Sequence, residues 1–143
     1  MMNDACPRPI LLVEDNPMDL DLTLRAFARR GLANSIEVAR DGQEALDWIP
    51  RWEGGEPLPL VVLLDLKLPR VSGLEVLRQF RVHPVSQDLP VVVLTSSSED
   101  KDIETAYRHH ANSYIVKPVN FEKFMEVAAQ IELYWCLLNH PPR

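Results

Sequence analysis

The sequence predicts a doubly wound α/β sandwich, in which helices cover both faces of a five-stranded parallel sheet. Five short apolar runs alternate with amphipathic stretches along the chain. Three of these runs, ILLV, LVVLL and VVVL, are almost continuously apolar, as strands buried on both faces of a parallel sheet are. The connections are short, which is typical of a repeated strand–helix unit.

The runs that predict strands are rich in Val, Leu and Ile. They are Ile10–Glu14, Ser35–Ala39, Leu60–Leu64, Val91–Thr95 and Ser113–Val116. The second run alternates between apolar and polar residues and the last run is short. Both features favour positions at the edges of the sheet.

Capping signals mark the beginnings of the helices. Asn16 followed by Pro17 predicts an N-cap and a first-turn proline, and Gly31 lies where this first helix should end. Two further pairs have the spacing of a capping box, Asp41 with Glu44 and Ser72 with Glu75.

The ends of two later helices are also predicted. Pro50 is expected to end the second helix, and a polar loop over Arg51–Pro59 then leads to the third strand. Trp48 and Trp52 are expected to cover the inner face of that helix and the loop. A last helix begins at Asn120 and continues to Leu138.

Length and composition limit the class of protein. The 143 residues correspond to one domain, expected over residues 10–138, with an extension over 1–9 and a tail over 139–143. The net charge of −6 argues against a general nucleic-acid binder. No apolar run approaches the roughly 18 residues of a membrane span, and the N-terminus lacks the basic region of a signal peptide. We therefore expect a cytoplasmic protein without a DNA-binding output domain.

Polar groups stand at the carboxyl ends of four of the five predicted strands. They are Glu14–Asp15, Asp65, Thr95–Ser96 and Lys117–Pro118. In this architecture the ligand site lies beyond the carboxyl ends of the strands, so these groups are expected at one edge of the sheet. Each of them alone would be an ordinary turn or capping residue. Their coincidence at four strand ends indicates a site.

The residue types at these ends suit phosphoryl transfer. Three carboxylates, those of Glu14, Asp15 and Asp65, would repel one another without a cation, and hard oxygen ligands favour Mg²⁺. An ammonium group and a metal ion stabilise charge on transferring oxygens. Asp65 could act as the nucleophile, since carboxylates form aspartyl-phosphate intermediates.

Four motifs occur in an order that is highly specific: LLVEDNP (Leu11–Pro17), LLDLKLPRVSG (Leu63–Gly73), VVLTSS (Val92–Ser97) and SYIVKP (Ser113–Pro118). On these motifs, nearly the whole chain resembles the receiver domain of two-component response regulators. The resemblance implies a flavodoxin-like (βα)5 sandwich with strand order 2-1-3-4-5.

The resemblance also implies a role for each matching residue. Asp65 would accept a phosphoryl group from the phosphohistidine of a sensor histidine kinase. Asp15 and Asp65 would bind Mg²⁺ directly, Glu14 would do so through water, and the backbone carbonyl of Lys67 would be a further ligand.

The remaining implied roles concern the phosphoryl group and the switch. Thr95 and Lys117 would contact phosphoryl oxygens, and Tyr114 matches an aromatic switch position whose ring turns inward as Thr95 moves. The Lys117–Pro118 bond would be cis, an isomer essentially restricted to X-Pro.

A narrower resemblance concerns the kinase partner. The stretches ARDGQEAL, LKLPRVSG and ANSYIVKP and the pair Tyr134–Trp135 are similar to stand-alone regulators paired with bacterial phytochrome kinases. Two features depart from the commonest receiver pattern. The connection before the third strand is long, and Lys67 carries a long cationic side chain where smaller residues are frequent.

The last helix carries more apolar residues than one buried stripe requires. One side holds Phe121, Phe124, Ala128, Ile131, Trp135 and Leu138, while Val127, Leu133, Tyr134 and Leu137 widen the apolar arc. We expect a homodimer through the face that contains this helix, because a large exposed apolar area usually marks an interface. Alternatively, the N-terminal extension or Pro141–Pro142 covers the same surface.

The residues are compatible with three functions. The first is a phosphoacceptor switch, which is not an enzyme in the ordinary sense, acting by binding or as a relay that passes the phosphoryl group to another histidine. The second is a Mg²⁺-dependent hydrolase of the haloacid-dehalogenase type, although Lys67 stands where those enzymes carry their second aspartate. The third is a degenerate receiver that serves only as a scaffold.

Overall fold

A computed structural model of the chain describes residues 8–31, 34–95, 100–116 and 121–130. Within these ranges the elements follow one another as β1 (Ile10–Val13), α1 (Pro17–Arg30), β2 (Ile36–Ala39), α2 (Gly42–Leu46), α3 (Trp48–Glu53), β3 (Val61–Leu64), α4 (Gly73–Val82), β4 (Val91–Thr95), α5 (Asp100–Arg108), β5 (Ser113–Val116) and α6 (Phe121–Gln130).

The five strands form one parallel sheet in the order β2-β1-β3-β4-β5. This confirms the predicted flavodoxin-like fold, including the edge positions of β2 and β5. In the central pair, Val13 at the end of β1 lies beside Leu64 at the end of β3. Residues that follow these two strands therefore leave the sheet side by side.

The sheet separates two hydrophobic cores. Residues of β1 alternate between them, with Leu11 and Val13 in one core and Ile10 and Leu12 in the other. Every residue of β1 and β3 is buried. This two-sided burial explains why these strands are continuous apolar runs in the sequence.

The predicted helix caps are confirmed. The Asn16 side-chain oxygen accepts hydrogen bonds from the N–H groups of Met18 and Asp19, at 2.9 and 3.1 Å. Gly31 ends α1 with a φ of 77°, a left-handed conformation that suits glycine. The side chains of Asp41 and Ser72 likewise accept from the backbone N–H three residues ahead of each, at the starts of α2 and α4.

The expected end of the second helix at Pro50 is wrong. Helix α2 already ends at Leu46, and Pro50 lies in the first turn of a separate helix, α3. A proline is tolerated there because the first N–H groups of a helix have no intrahelical acceptor. The loop predicted over residues 51–59 is therefore helical as far as Glu53.

Helix α3 is held by its two tryptophans, as expected. Trp52 is buried and its ring meets that of Phe80 edge-on, with the centroids 5.5 Å apart. Trp48 stacks on Trp52, and the Arg51 guanidinium lies 3.7 Å from the Trp48 ring centroid. The hydrogen bond from Arg51 also holds the pKa of Glu56 below its ordinary value. Both tryptophans thus serve packing.

Helix α6 packs against α1, and this corrects one expectation. Val127, assigned above to the surplus apolar surface, is buried together with Phe124 and Ala128. A helix that contacts both the sheet and a neighbouring helix buries a wider arc than a single stripe. The other surplus residues, Leu133, Tyr134 and Leu137, lie outside the described residues.

Among the residues that the structure describes, no helix combines the length and the apolar character needed to cross a bilayer.

Candidate functional site

Three carboxylates converge at the edge of the sheet where the strands end. The three acids are Glu14, Asp15 and Asp65. Each has one carboxylate oxygen that lies within 4.8 Å of a carboxylate oxygen of the other two. Glu14 and Asp65 are nearly buried, at 2 % and 6 % exposure, whereas Asp15 is exposed. In the described part of the chain, this is the one group of three or more metal-ligating side chains.

The backbone of the central strands places these acids. The Asp65 N–H donates to the Val13 carbonyl, and the Glu14 N–H donates to the Ala39 carbonyl, both at 3.0 Å. These bonds continue the sheet by one residue beyond β1 and β3. The two buried acids are therefore fixed to the rigid centre of the fold rather than to a surface loop.

Local hydrogen bonds orient the two buried side chains. One Glu14 oxygen accepts from the Asn16 N–H at 3.1 Å, and one Asp65 oxygen accepts from the Lys67 N–H at 3.0 Å. Each carboxylate thus has a partner on the turn that directly follows it. These turns hold the acids in place before any ligand binds, as a preorganised site requires.

The start of α4 presses against the backbone of Asp65. The Gly73 N–H donates to the Leu66 carbonyl at 2.8 Å. A Cβ at position 73 would lie 2.2 Å from the Asp65 carbonyl oxygen, so only glycine fits. The sequence reasoning above missed this role, although a glycine directly after the capping residue Ser72 was the available signal.

The charge and the spacing of the cluster favour a bound cation. Carboxylates at this distance repel one another, and the burial of Glu14 and Asp65 adds a desolvation cost. A hard divalent ion such as Mg²⁺ or Mn²⁺ relieves both effects, since it takes carboxylate and carbonyl oxygens as ligands. The donor set and its spacing therefore fit a divalent metal ion.

The remaining predicted site residues are only partly described. Lys67 lies two residues beyond Asp65 with an exposed side chain, at the start of the loop to α4. The backbone of Thr95 pairs with Val116 at the ends of β4 and β5. Lys117 and Pro118, with their peptide bond, lie outside the described residues, as do the side chains of Thr95 and Tyr114.

The sequence from Ile10 to Ala129 matches the family model described as the response regulator receiver domain. The chain belongs to this family. Among curated relatives, the receiver domain is 47 % identical over 137 residues to the probable methanogenesis regulatory protein FilR2 of Methanothrix harundinacea. That alignment covers 95 % of this chain and 88 % of FilR2.

Solved structures of other receivers have the same fold. The bacteriophytochrome response regulator RtBRR is 47 % identical, with a TM-score of 0.77 over 95 % of this chain and 84 % of its own. The phosphorylated cyanobacterial phytochrome response regulator RcpA is 33 % identical, with a TM-score of 0.83 over 96 % of this chain and all of its own.

One related structure contains a metal ion. Response regulator Rcp1 of Synechocystis has been solved in a Mn²⁺-bound form, which is 32 % identical to this receiver domain, with a TM-score of 0.81. The alignment covers 96 % of this chain and 100 % of that structure. The acidic cluster of this chain thus occurs in a family with a metal-bound member.

Proposed function

We propose that this receiver domain accepts a phosphoryl group on Asp65 from the phosphohistidine of a sensor histidine kinase, in the cytoplasm. The observation that carries the proposal is the convergence of Asp65 with Glu14 and Asp15 within 4.8 Å, at the ends of β1 and β3. Family membership supports the same role, because two-component receivers are defined by phosphotransfer between histidine and aspartate.

The reaction conserves the phosphoryl group. A carboxylate oxygen of Asp65 attacks the phosphorus, a P–O bond forms, the P–N bond to the imidazole breaks, and the imidazole leaves with the electron pair. A bound Mg²⁺ would neutralise charge on the transferring oxygens. Asp15, Asp65 and the Lys67 carbonyl would hold this ion directly, and Glu14 would hold it through water.

The local hydrogen bond to Asp65 supports its role as nucleophile. The Lys67 N–H binds one carboxylate oxygen at 3.0 Å and so fixes the plane of the group. Thr95 and Lys117 would bind the phosphoryl oxygens, Tyr114 would follow Thr95 as the switch, and a cis Pro118 would place Lys117. The chain would assist only its own phosphorylation and hydrolysis and would not act on other substrates.

A phytochrome-linked kinase is the partner we propose. RtBRR and RcpA, both named as phytochrome response regulators, support this choice, and RtBRR is 47 % identical. FilR2 has the same 47 % identity to this chain, and its name refers to methanogenesis. The identity of the kinase is therefore tested directly. A phosphotransfer screen against the histidine kinases of the same genome should give fast transfer from the phytochrome kinase. Faster transfer from any other kinase contradicts this choice.

Acetyl phosphate tests the phosphoacceptor without a kinase. With Mg²⁺, the protein should gain the mass of one phosphoryl group, and chelation of the metal should prevent this. The Asp65→Asn variant should remain unmodified, while the control Asp88→Asn, whose exposed carboxylate precedes β4, should react like the wild type. Turnover of a phosphate ester would instead favour the dehalogenase-type hydrolase, and no modification at all would favour the scaffold.

A relay is the second form of the proposed function. In it, phosphorylated Asp65 passes its phosphoryl group to the histidine of another protein. The same phosphorylated sample, mixed with a histidine phosphotransfer protein, separates the two forms, because only a relay transfers label from Asp65 to that protein.

We further propose a homodimer through the face that contains α6. The support is the run of apolar residues after Gln130 in the sequence, including Leu133, Tyr134 and Leu137. The described turns of α6 expose mainly polar and charged side chains, so the contact would depend on this later segment. Light scattering over a range of concentrations should give the mass of two chains. A single-chain mass at every concentration, with and without phosphorylation, contradicts it.

A further inference from the structure

The start of α2 contacts the loop that follows the proposed phosphoacceptor. Gly42 is buried, and its N–H donates to the Pro69 carbonyl at 3.3 Å. A Cβ at position 42 would lie 1.9 Å from the Val71 carbonyl oxygen and 2.6 Å from the Val71 Cβ. Any side chain here would force α2 and this loop apart by more than about 1 Å, since real Cβ contacts are essentially never below 3.0 Å.

The contacted part of the loop is a strained turn. The Val71 N–H donates to the Pro69 carbonyl at 2.9 Å, which closes a three-residue turn with Arg70 at its centre. Arg70 has a φ of 71°, a value that residues with a side chain rarely adopt. The Pro69 carbonyl therefore accepts from both Val71 and Gly42, so α2 helps to hold this turn.

The start of α2 is itself fixed. One Asp41 oxygen accepts from the Glu44 N–H at 2.8 Å, and the other lies 3.9 Å from the Arg70 guanidinium. The Glu44 carboxylate accepts from the Arg40 N–H, and Ala45 in the next turn is fully buried. Helix α2 thus presents a rigid surface to the loop.

The other end of the same loop carries the site. The Lys67 N–H holds the Asp65 carboxylate, and the Gly73 N–H ties the far end of the loop to the Leu66 carbonyl. Only residues 68–70 lie between Lys67 and Val71. A displacement of the Val71 backbone would therefore also move the Lys67 backbone. Mg²⁺ tolerates little deviation from ideal octahedral ligand positions.

We propose that Gly42 is a positioning residue for the metal and phosphoryl site. Its lack of a side chain lets α2 close on the Pro69–Val71 turn, and this contact sets the position of the Lys67 backbone and the Asp65 carboxylate. The inference rests on the function proposed above for Asp65. It concerns a residue of α2 that touches neither the metal nor the phosphoryl group.

Binding of Mn²⁺ to the full chain tests the proposal, with free Mn²⁺ measured by electron paramagnetic resonance. The Kd of Gly42→Ala for Mn²⁺ should be about tenfold higher than that of the wild type. This is the lower end of the loss in metal affinity seen when groups that orient metal ligands are changed. Gly54→Ala is the matched control. A Cβ at position 54 meets its nearest atom, the Pro50 carbonyl oxygen, at an ordinary 3.4 Å. Its Kd should equal that of the wild type.

A second measurement separates positioning from general destabilisation. The Kd is measured at a temperature far below the midpoint of unfolding, where the variant is folded. If Gly42 has a purely structural role, Gly42→Ala lowers the Tm but leaves the Kd for Mn²⁺ unchanged. That result overturns the proposal. Should Gly42→Ala fail to fold, Asp41→Ala removes the cap and the Arg70 ion pair instead. It should raise the Kd by less than the roughly tenfold increase expected for Gly42→Ala, because the loop keeps its contact with the Gly42 backbone. An unchanged Kd in that variant also overturns the proposal.

The control Asp65→Asn keeps the two proposals distinguishable. If wild type and Asp65→Asn bind Mn²⁺ equally weakly, the proposed function fails and the role of Gly42 fails with it. If the wild type binds Mn²⁺ more tightly than Asp65→Asn while Gly42→Ala equals the wild type, only the role of Gly42 is overturned.

Discussion

Replacing Asp15 by asparagine should stabilise the protein in the absence of metal and destabilise it, relative to the wild type, in the presence of Mg²⁺. Without a cation, the Asp15 carboxylate lies within 4.8 Å of two buried carboxylates. Removing one charge from such a group should raise the free energy of unfolding by about 1 kcal/mol, the Coulomb energy of an exposed pair at this distance. Mg²⁺ at 100 times its Kd should stabilise the wild type by about 2.7 kcal/mol and the variant by much less.

Urea unfolding, followed by tryptophan fluorescence in chelator and in Mg²⁺, measures both effects. The control Asp88→Asn removes an exposed carboxylate near the opposite end of the strands and should respond to Mg²⁺ as the wild type does. We expect Asp15→Asn to be the more stable protein in chelator and the less stable one in Mg²⁺. If the same protein were the more stable in both solutions, the result would contradict a metal site at the acidic cluster.

Replacing Phe80 by alanine should cost the protein about 3–5 kcal/mol of unfolding free energy, the range seen for buried aromatic residues. Phe80 of α4 is fully buried and meets the Trp52 ring edge-on at 5.5 Å. The truncation leaves a cavity between α4 and α3. It also removes the contact with Trp52 of α3, the helix that the sequence did not predict. Denaturant titration of both proteins gives the difference.

The matched control for this change lies two residues further along the same helix. Val82 is 59 % exposed, so Val82→Ala should change the free energy of unfolding by less than about 0.5 kcal/mol. If Phe80→Ala were as mild as Val82→Ala, the packing of α3 against α4 described here would be wrong.

The features that sequence reasoning predicted correctly depend on local signals. The strand positions follow, to within one residue at either end, from apolar runs, because β1 and β3 are buried on both faces. The caps Asn16, Asp41 and Ser72 follow from short side-chain oxygens that accept nearby backbone N–H groups. The meeting of the three acids follows from topology, since parallel strands end at one edge of the sheet.

The features that sequence reasoning missed depend on how the elements pack against one another in the folded protein. Pro50 is compatible both with the end of one helix and with the first turn of the next, and the sequence does not choose between them. Val127 is buried because α6 contacts α1, which helical periodicity alone does not reveal. A glycine directly follows each of the capping residues Asp41 and Ser72, but the close contacts of Gly42 and Gly73 are with backbone atoms of other segments, which a local pattern does not identify.

The location of α3 has a practical consequence for attaching probes to this molecule. The connection that follows α3 returns to the edge where strands begin, since the Leu60 N–H donates to the carbonyl of Pro9, directly before β1. The acids lie at the other edge, about 13 Å away along four residues of extended chain. A dye attached at Glu53, which is exposed at the end of α3, should therefore leave ion binding and phosphorylation intact.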